Sequence, residues 1–158
     1  MRHAKSAYPN GVADHARPLA ARGVREAGLA GEWLRDNVPT IDLVLCSSAA
    51  RTRETLQVTQ ITAPVSYLDR LYGATPGAVL DEINQVSDDV GALLVVNHEP
   101  TVSQVALGLA GLDGTDPALA EQISMKFPTS GIVVLQVPGS WADLGLSGAS
   151  LVSFHVPR

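Results

Sequence analysis

Apolar residues in this chain fall into short blocks with two different periods. Residues 41–48 (IDLVLCSS), 92–98 (ALLVVNH) and 131–137 (GIVVLQV) are almost wholly apolar. Runs of that length predict strands covered on both faces, as in a parallel sheet. Residues 64–68 (PVSYL) predict a further short strand. Residues 149–156 (ASLVSFHV) alternate, which predicts a final antiparallel edge strand. Between these blocks the period changes to that of a helix. In residues 19–38, Val24, Ala27, Ala30 and Leu34 recur at spacings of three and four and predict one apolar face, with glycines that allow close packing on a sheet. Helices are also predicted at 49–60, 75–86, 100–111 and 118–127. Thr75 caps the second of these, with Pro76 at its first position. Residues 7–18 hold two prolines and an Asn-Gly step and predict a loop. Strands alternating with helices, without linker or repeat, predict one α/β domain over 1–158: three layers, α/β/α, around a mostly parallel sheet.

Composition narrows the partners. The 158 residues carry a formal charge of −5, and 46% are hydrophobic against 17% charged. That is a globular composition, and it lacks the basic excess of a nucleic-acid-binding module. Arginines cluster locally instead, at Arg2, Arg17, Arg22 and Arg25 and at Arg51 and Arg53, which points to a small anionic ligand. The single cysteine, Cys46, excludes an internal disulfide and fits a reducing compartment. No membrane span or signal peptide is evident, so the expected location is the cytoplasm, and the expected state is a monomer.

The chemistry lies just after the apolar runs, because open α/β sheets bind ligands beyond the carboxyl ends of their strands. Arg51 and Arg53 follow the strand at 41–48. His98 ends the run at 92–98. Arg2 and His3 open the chain. Two histidines lack the third ligand of a metal site, and adjacent arginines disfavour a cation. Guanidinium forks match phosphate oxygens, and a neutral imidazole is a nucleophile toward phosphorus. The set predicts phosphoryl transfer: one histidine attacks while the arginines and the second histidine hold the charge that develops.

At these residues the chain resembles the histidine phosphatase (phosphoglycerate-mutase-like) superfamily, and within it the SixA-type phosphohistidine phosphatases. The resemblance rests on MRHAKS at the start, ADHARPL at 13–19, CSSAARTRET at 46–55, VVNHEP at 95–100 and KFPTSGIVVL at 126–135, in that order. It implies that His3 attacks the phosphoryl group and becomes a phosphohistidine. It implies that Arg2, Arg51 and His98 form the phosphoryl pocket, that Asp14 and Arg17 contact substrate or brace their loop, and that no metal or organic cofactor is needed. The implied substrate is phosphohistidine in a protein, such as a histidine phosphotransfer protein, or a small phosphorylated metabolite. The alternatives are a broad small-molecule phosphomonoesterase and a silent phosphate- or phosphoprotein-binding module.

Three features depart from the family pattern. The glutamate general acid of larger members is missing where Leu71, Tyr72 and Gly73 stand, leaving Asp69, Asp14 or His15 as candidate donors. Asn97 stands where relatives carry glycine. Only Met1 precedes the Arg-His pair, where the family has its first strand, so that strand is expected to be largely missing from this chain and a short apolar segment is expected before Met1. Arg53 and His15 are expected to be solvated, and His155 structural. Cys46 is expected to be a buried small hydrophobe, and Thr129 and Ser130 to start a strand or bring backbone near the substrate.

Overall fold

The computed structural model describes residues 1–158. Five helices run in chain order: α1 Ala21–Asn37, α2 Ala50–Thr59, α3 Pro76–Asn84, α4 Thr101–Leu109 and α5 Pro117–Met125. Five strands accompany them: β1 Leu43–Ser47, β2 Val65–Leu68, β3 Leu93–Val96, β4 Ile132–Gln136 and β5 Ser150–His155. The sequence pattern therefore located all five α-helices and all five strands, each within a few residues of its expected ends. Thr75 caps α3 as expected, its Oγ1 accepting from the Ala78 N–H at 3.2 Å. The expected loop at 7–18 contains one short 3₁₀ turn, Asp14–Ala16.

Strands β2, β1 and β3 form a parallel ladder in that order, and β4 pairs antiparallel with β5. Both faces of the parallel ladder are covered, which is why its strands read as continuous apolar runs. Val44, Cys46, Leu94 and Val96 face one core with Ala30 and Leu34 of α1 and Leu56 of α2. The intervening Leu45 faces a second core with Val79 and Ile83 of α3 and Leu109 of α4. A third core joins Val102, Ile123, Phe127 and Leu151 beneath α4 and α5. The result is the three-layer α/β/α arrangement.

Residues 1–3 connect the two ladders. Arg2 bridges Asn97 in parallel sense, the His3 N–H donates to Asn97 O at 3.0 Å, and Asn97 N–H donates to Met1 O at 3.1 Å. On the other side the Arg2 N–H donates to Gly131 O at 3.0 Å and Ser130 N–H to His3 O at 3.1 Å. The position of a first strand is thus held by three residues between β3 and β4. Where the ladders separate, a cavity of about 800 Å³ lies between them, lined by Met1, Leu93, Val95, Val134, Val137 and Trp141 among others.

Helix α1 departs from expectation in its rotation. Val24 is 47% exposed, and the buried stripe runs through Gly23, Glu26, Ala27, Ala30, Gly31 and Leu34. The glycines decide this, and they meet backbone other than the sheet. A Cβ at Gly23 would lie 2.1 Å from Lys5 O, and one at Gly31 would lie 2.2 Å from Thr59 O. Only a residue without a side chain lets the chain pass that close. Glu26 is buried on the same stripe, where it accepts from Arg22 Nε at 2.6 Å and lies 3.2 Å from an Arg158 guanidinium nitrogen.

Candidate active site

The segment 1–6 brings the first histidine to the carboxyl end of the ladder. Bonds to Asn97 and Ser130 hold the His3 backbone from both sides, and the Ala4 N–H donates to Thr55 Oγ1 of α2 at 2.9 Å. The His3 side chain is 8% exposed, with Nδ1 2.7 Å from Ala4 O. A carbonyl can only accept, so Nδ1 carries the proton and Nε2 keeps the lone pair. Burial, with His98, Arg51 and Arg2 adding to it, pushes this imidazole down to about 3. His3 is therefore neutral near pH 7.

His98 stands 5.1 Å from His3 between ring centroids. It follows β3, and the peptide bond between Glu99 and Pro100 just after it is cis. The side chain of Asn97, noted as a departure from glycine, accepts the His98 N–H on Oδ1 at 2.9 Å. Asn97 has no positive φ, so this turn does not need glycine. Ser47 Oγ, at the end of β1, lies 2.8 Å from His98 Nε2. Burial and then Arg51 push His98 down to about 4, so it too is neutral.

The two arginines are placed differently. Arg2 donates from a terminal nitrogen to Phe127 O at 2.6 Å, while its buried Nε has no protein partner. Arg51, in the first turn of α2, is 7% exposed. It donates to Asp14 O at 2.7 Å and to Asp14 Oδ2 at 3.1 Å. Arg17 approaches from the same loop and stands one shell further out. It donates to Asp14 Oδ1 at 2.8 Å, to Ala7 O at 3.0 Å and to Ser6 Oγ, and its guanidinium lies 3.6 Å from the Tyr8 ring centroid. Asp14 is thus the hub of the mouth. Its Oδ2 also accepts from the Tyr72 hydroxyl at 2.6 Å. The Tyr72 hydroxyl, Arg17 and Arg51 hold this carboxyl well below the usual carboxylate range, and Asp14 in turn raises the Tyr72 phenol.

Arg2, His3, Arg51, His98 and Asp14 therefore converge on one site, and Arg17 braces its rim. Tyr72, in the stretch noted for its missing glutamate, has its ring centroid 5.6 Å from that of His98 and 4.8 Å from that of His15, edge to face in both. His15 contacts Ser48 Oγ through Nε2 at 2.9 Å, and so belongs to the rim. Sequence reasoning missed Ser47 and Thr55. Ser47 stands at a strand end, where chemistry collects, but a serine there carries no signal by itself. Arg53 lies exposed over the Tyr67 ring at 4.4 Å, and His155 stacks on Trp33 at 4.6 Å. Cys46 is fully buried, which pushes its thiol up to about 12. No helix is long and apolar enough to cross a membrane.

The sequence profile of the histidine phosphatase superfamily (branch 1) matches residues 1–77. An uncharacterized protein of Mycobacterium tuberculosis is 65% identical over 158 residues, covering 100% of both chains. A protein of Nakamurella multipartitia, assigned as phosphohistidine phosphatase SixA, has a solved structure that superposes with a TM-score of 0.90. It is 40% identical and covers 99% of this chain and 93% of its own. A phosphohistidine phosphatase SixA homolog of Haemophilus influenzae is 28% identical over 124 residues, covering 70% of this chain and 75% of that protein. With its strand-end arginines and histidines assembled on this fold, the chain belongs to the histidine phosphatase superfamily, whose members are phosphatases.

Proposed function

We propose that the protein is a cofactor-independent phosphatase that removes phosphate from phosphohistidine in a protein, with His3 as nucleophile. The observation that carries this reading is the His3 imidazole. Its proton is committed to Ala4 O through Nδ1, and the ring is neutral, so Nε2 offers a lone pair beside two arginines and a second neutral histidine. In the first step Nε2 bonds to phosphorus while the phosphorus–nitrogen bond of the substrate breaks. The leaving imidazole, protonated on its other nitrogen, departs neutral. Water then attacks phosphorus, releases inorganic phosphate and returns the electron pair to Nε2. Arg2, Arg51 and His98 stabilise the charge on the transferring oxygens in both steps.

The states of the carboxyl groups near the mouth favour one substrate class. An alkoxide leaving group has a conjugate acid pKa of about 15 and requires a proton donor at neutral pH. Asp14 is the carboxyl group at the mouth, and its bonds to Tyr72, Arg17 and Arg51 keep it ionised. An ionised carboxylate cannot donate. Asp69, the other carboxylate weighed as donor, belongs to the 3₁₀ turn Asp69–Leu71 before Tyr72 and is exposed. An imidazole leaving group needs no such donor, which favours phosphohistidine over sugar phosphates. A phosphohistidine-bearing protein, such as a histidine phosphotransfer protein, is the corresponding partner.

Trapping tests the nucleophile. Wild type quenched in alkali after mixing with labelled phosphohistidine peptide should carry label on His3, stable in base and lost in acid. His3→Ala should carry none and should lose hydrolysis altogether. Persistent turnover by His3→Ala would exclude His3 as nucleophile. A preference for sugar phosphates by orders of magnitude would exclude the substrate class. A wild type that turns over no phosphate would make this a phosphate-binding module.

A further inference from the structure

The hydrogen bonds of His98 determine more than its position. One ring nitrogen, Nε2, lies 2.8 Å from Ser47 Oγ, and the other, Nδ1, is buried without any protein partner. A neutral imidazole has one N–H and one lone pair, so two arrangements are open. If Nε2 carries the proton, it donates to Ser47 Oγ. That oxygen then receives two donors, because the Ala49 N–H already reaches it at 3.5 Å. The hydroxyl hydrogen of Ser47 would then have no acceptor, since Oγ makes no bond to any carbonyl or carboxylate. If Nε2 carries the lone pair, it accepts from the Ser47 hydroxyl, and every hydrogen in this set has a place except the one on Nδ1. The first arrangement strands both the hydroxyl hydrogen and the Nδ1 lone pair, whereas the second strands only the Nδ1–H, so the second leaves fewer buried polar groups unpaired and is favoured.

We infer that Ser47 is a positioning residue that holds His98 as its Nδ1–H tautomer, and that this N–H is kept for an oxygen of the phosphoryl group. The inference rests on the reading that the cleft receives a phosphoryl group, and it specifies how an uncharged histidine stabilises it. The Nδ1–H has no acceptor in the folded chain, and the His98 ring lies within the field of the Arg51 and Arg2 guanidiniums. An anion's oxygen supplies the missing acceptor. The same tautomer withholds the His98 lone pair from phosphorus, because that pair is engaged by Ser47. The two histidines are thereby given separate roles: His3 presents a lone pair and His98 presents a hydrogen.

Nitrogen-15 NMR of histidine-labelled wild type, with the His98 signals identified by their loss in His98→Asn, reads the tautomer directly and needs no change at Ser47. The expected spectrum has a protonated Nδ1 and an unprotonated Nε2, and saturating inorganic phosphate should shift the Nδ1–H resonance without changing the tautomer. Ser47→Ala should lose that single tautomer and lower kcat on an aryl phosphate by about 10–100-fold, the usual size for a group that orients a functional histidine. Ser47→Thr, which keeps the hydroxyl, should restore both. A protonated Nε2 in wild type would overturn the role of Ser47, as would a Ser47→Ala protein with unchanged tautomer and rate. A Nδ1–H that inorganic phosphate leaves unmoved would overturn the phosphoryl contact, whichever phosphorylated substrate the enzyme proves to turn over.

Discussion

Each imidazole of the site has a pKa far from its ordinary 6.5, and the shift has measurable consequences. Burial pushes His3 to about 3 and His98 to about 4. Their NMR titration midpoints should therefore lie below 5, while an exposed histidine titrates near 6.5. Stability follows with a definite sign. Between about pH 3 and 6.5 the unfolded chain binds more protons at these two positions than the folded chain does. Stability should rise with pH across that window and be lost on acidification. Urea midpoints across the window should show this slope, and His3→Ala, lacking one of the two groups, should show a shallower one. Stability that increases on acidification through the window would contradict the buried, neutral histidines. At this scale the residue types were legible in the sequence, because arginine and histidine beside strand ends are few. Their states were not. Neutrality of His3 depends on burial first and then on the guanidiniums of Arg51 and Arg2, against the Ala4 carbonyl, which favours the protonated ring.

Elements were legible because their signal is local. Continuous apolar runs specified β1, β3 and β4, and a cap with a proline specified the start of α3. The rotation of α1 was not legible. Val24 has the right spacing for the apolar face and is nonetheless exposed, because the approach of Lys5 and Thr59 backbone selects Gly23 and Gly31 for the inside. Two substitutions in this helix should act in opposite directions. Gly31→Ala places a Cβ 2.2 Å from Thr59 O, and overpacking of that kind costs about 1–3 kcal/mol. Gly28→Ala meets nothing within 4 Å and should stabilise the protein by about 0.5–1 kcal/mol through helix propensity alone. Urea unfolding of the pair checks both. Equal effects would mean that the close contact between α1 and the end of α2 does not constrain the helix.

For the whole molecule the decisive feature is that residues 1–3 join the β2-β1-β3 ladder to the β4-β5 hairpin while carrying the proposed nucleophile. Site and scaffold are therefore coupled, and a ligand that binds the site should stabilise the fold. Inorganic phosphate at 100 times its Kd should add about 2.7 kcal/mol to the unfolding free energy, with increased hydrogen-exchange protection at the Arg2, His3 and Ser130 amides. Arg51→Ala should abolish most of that increment, because it removes a buried guanidinium of the proposed phosphoryl pocket. An unchanged increment in Arg51→Ala would place the phosphate elsewhere.

The sequence by itself determined the order and type of the elements, the α/β class, and the candidates Arg2, His3, Arg51 and His98, since period and residue type are properties of a few neighbouring positions. Only the tertiary structure decided which histidine nitrogen carries a proton, that the Asp14 carboxylate is committed to Tyr72, Arg17 and Arg51, and that Ser47 belongs to the site. Apart from the local bond of His3 to Ala4 O, those facts are hydrogen bonds between side chains up to 58 residues apart in the chain, such as Tyr72 and Asp14. Such contacts arise when the strand ends converge, and no local pattern encodes them.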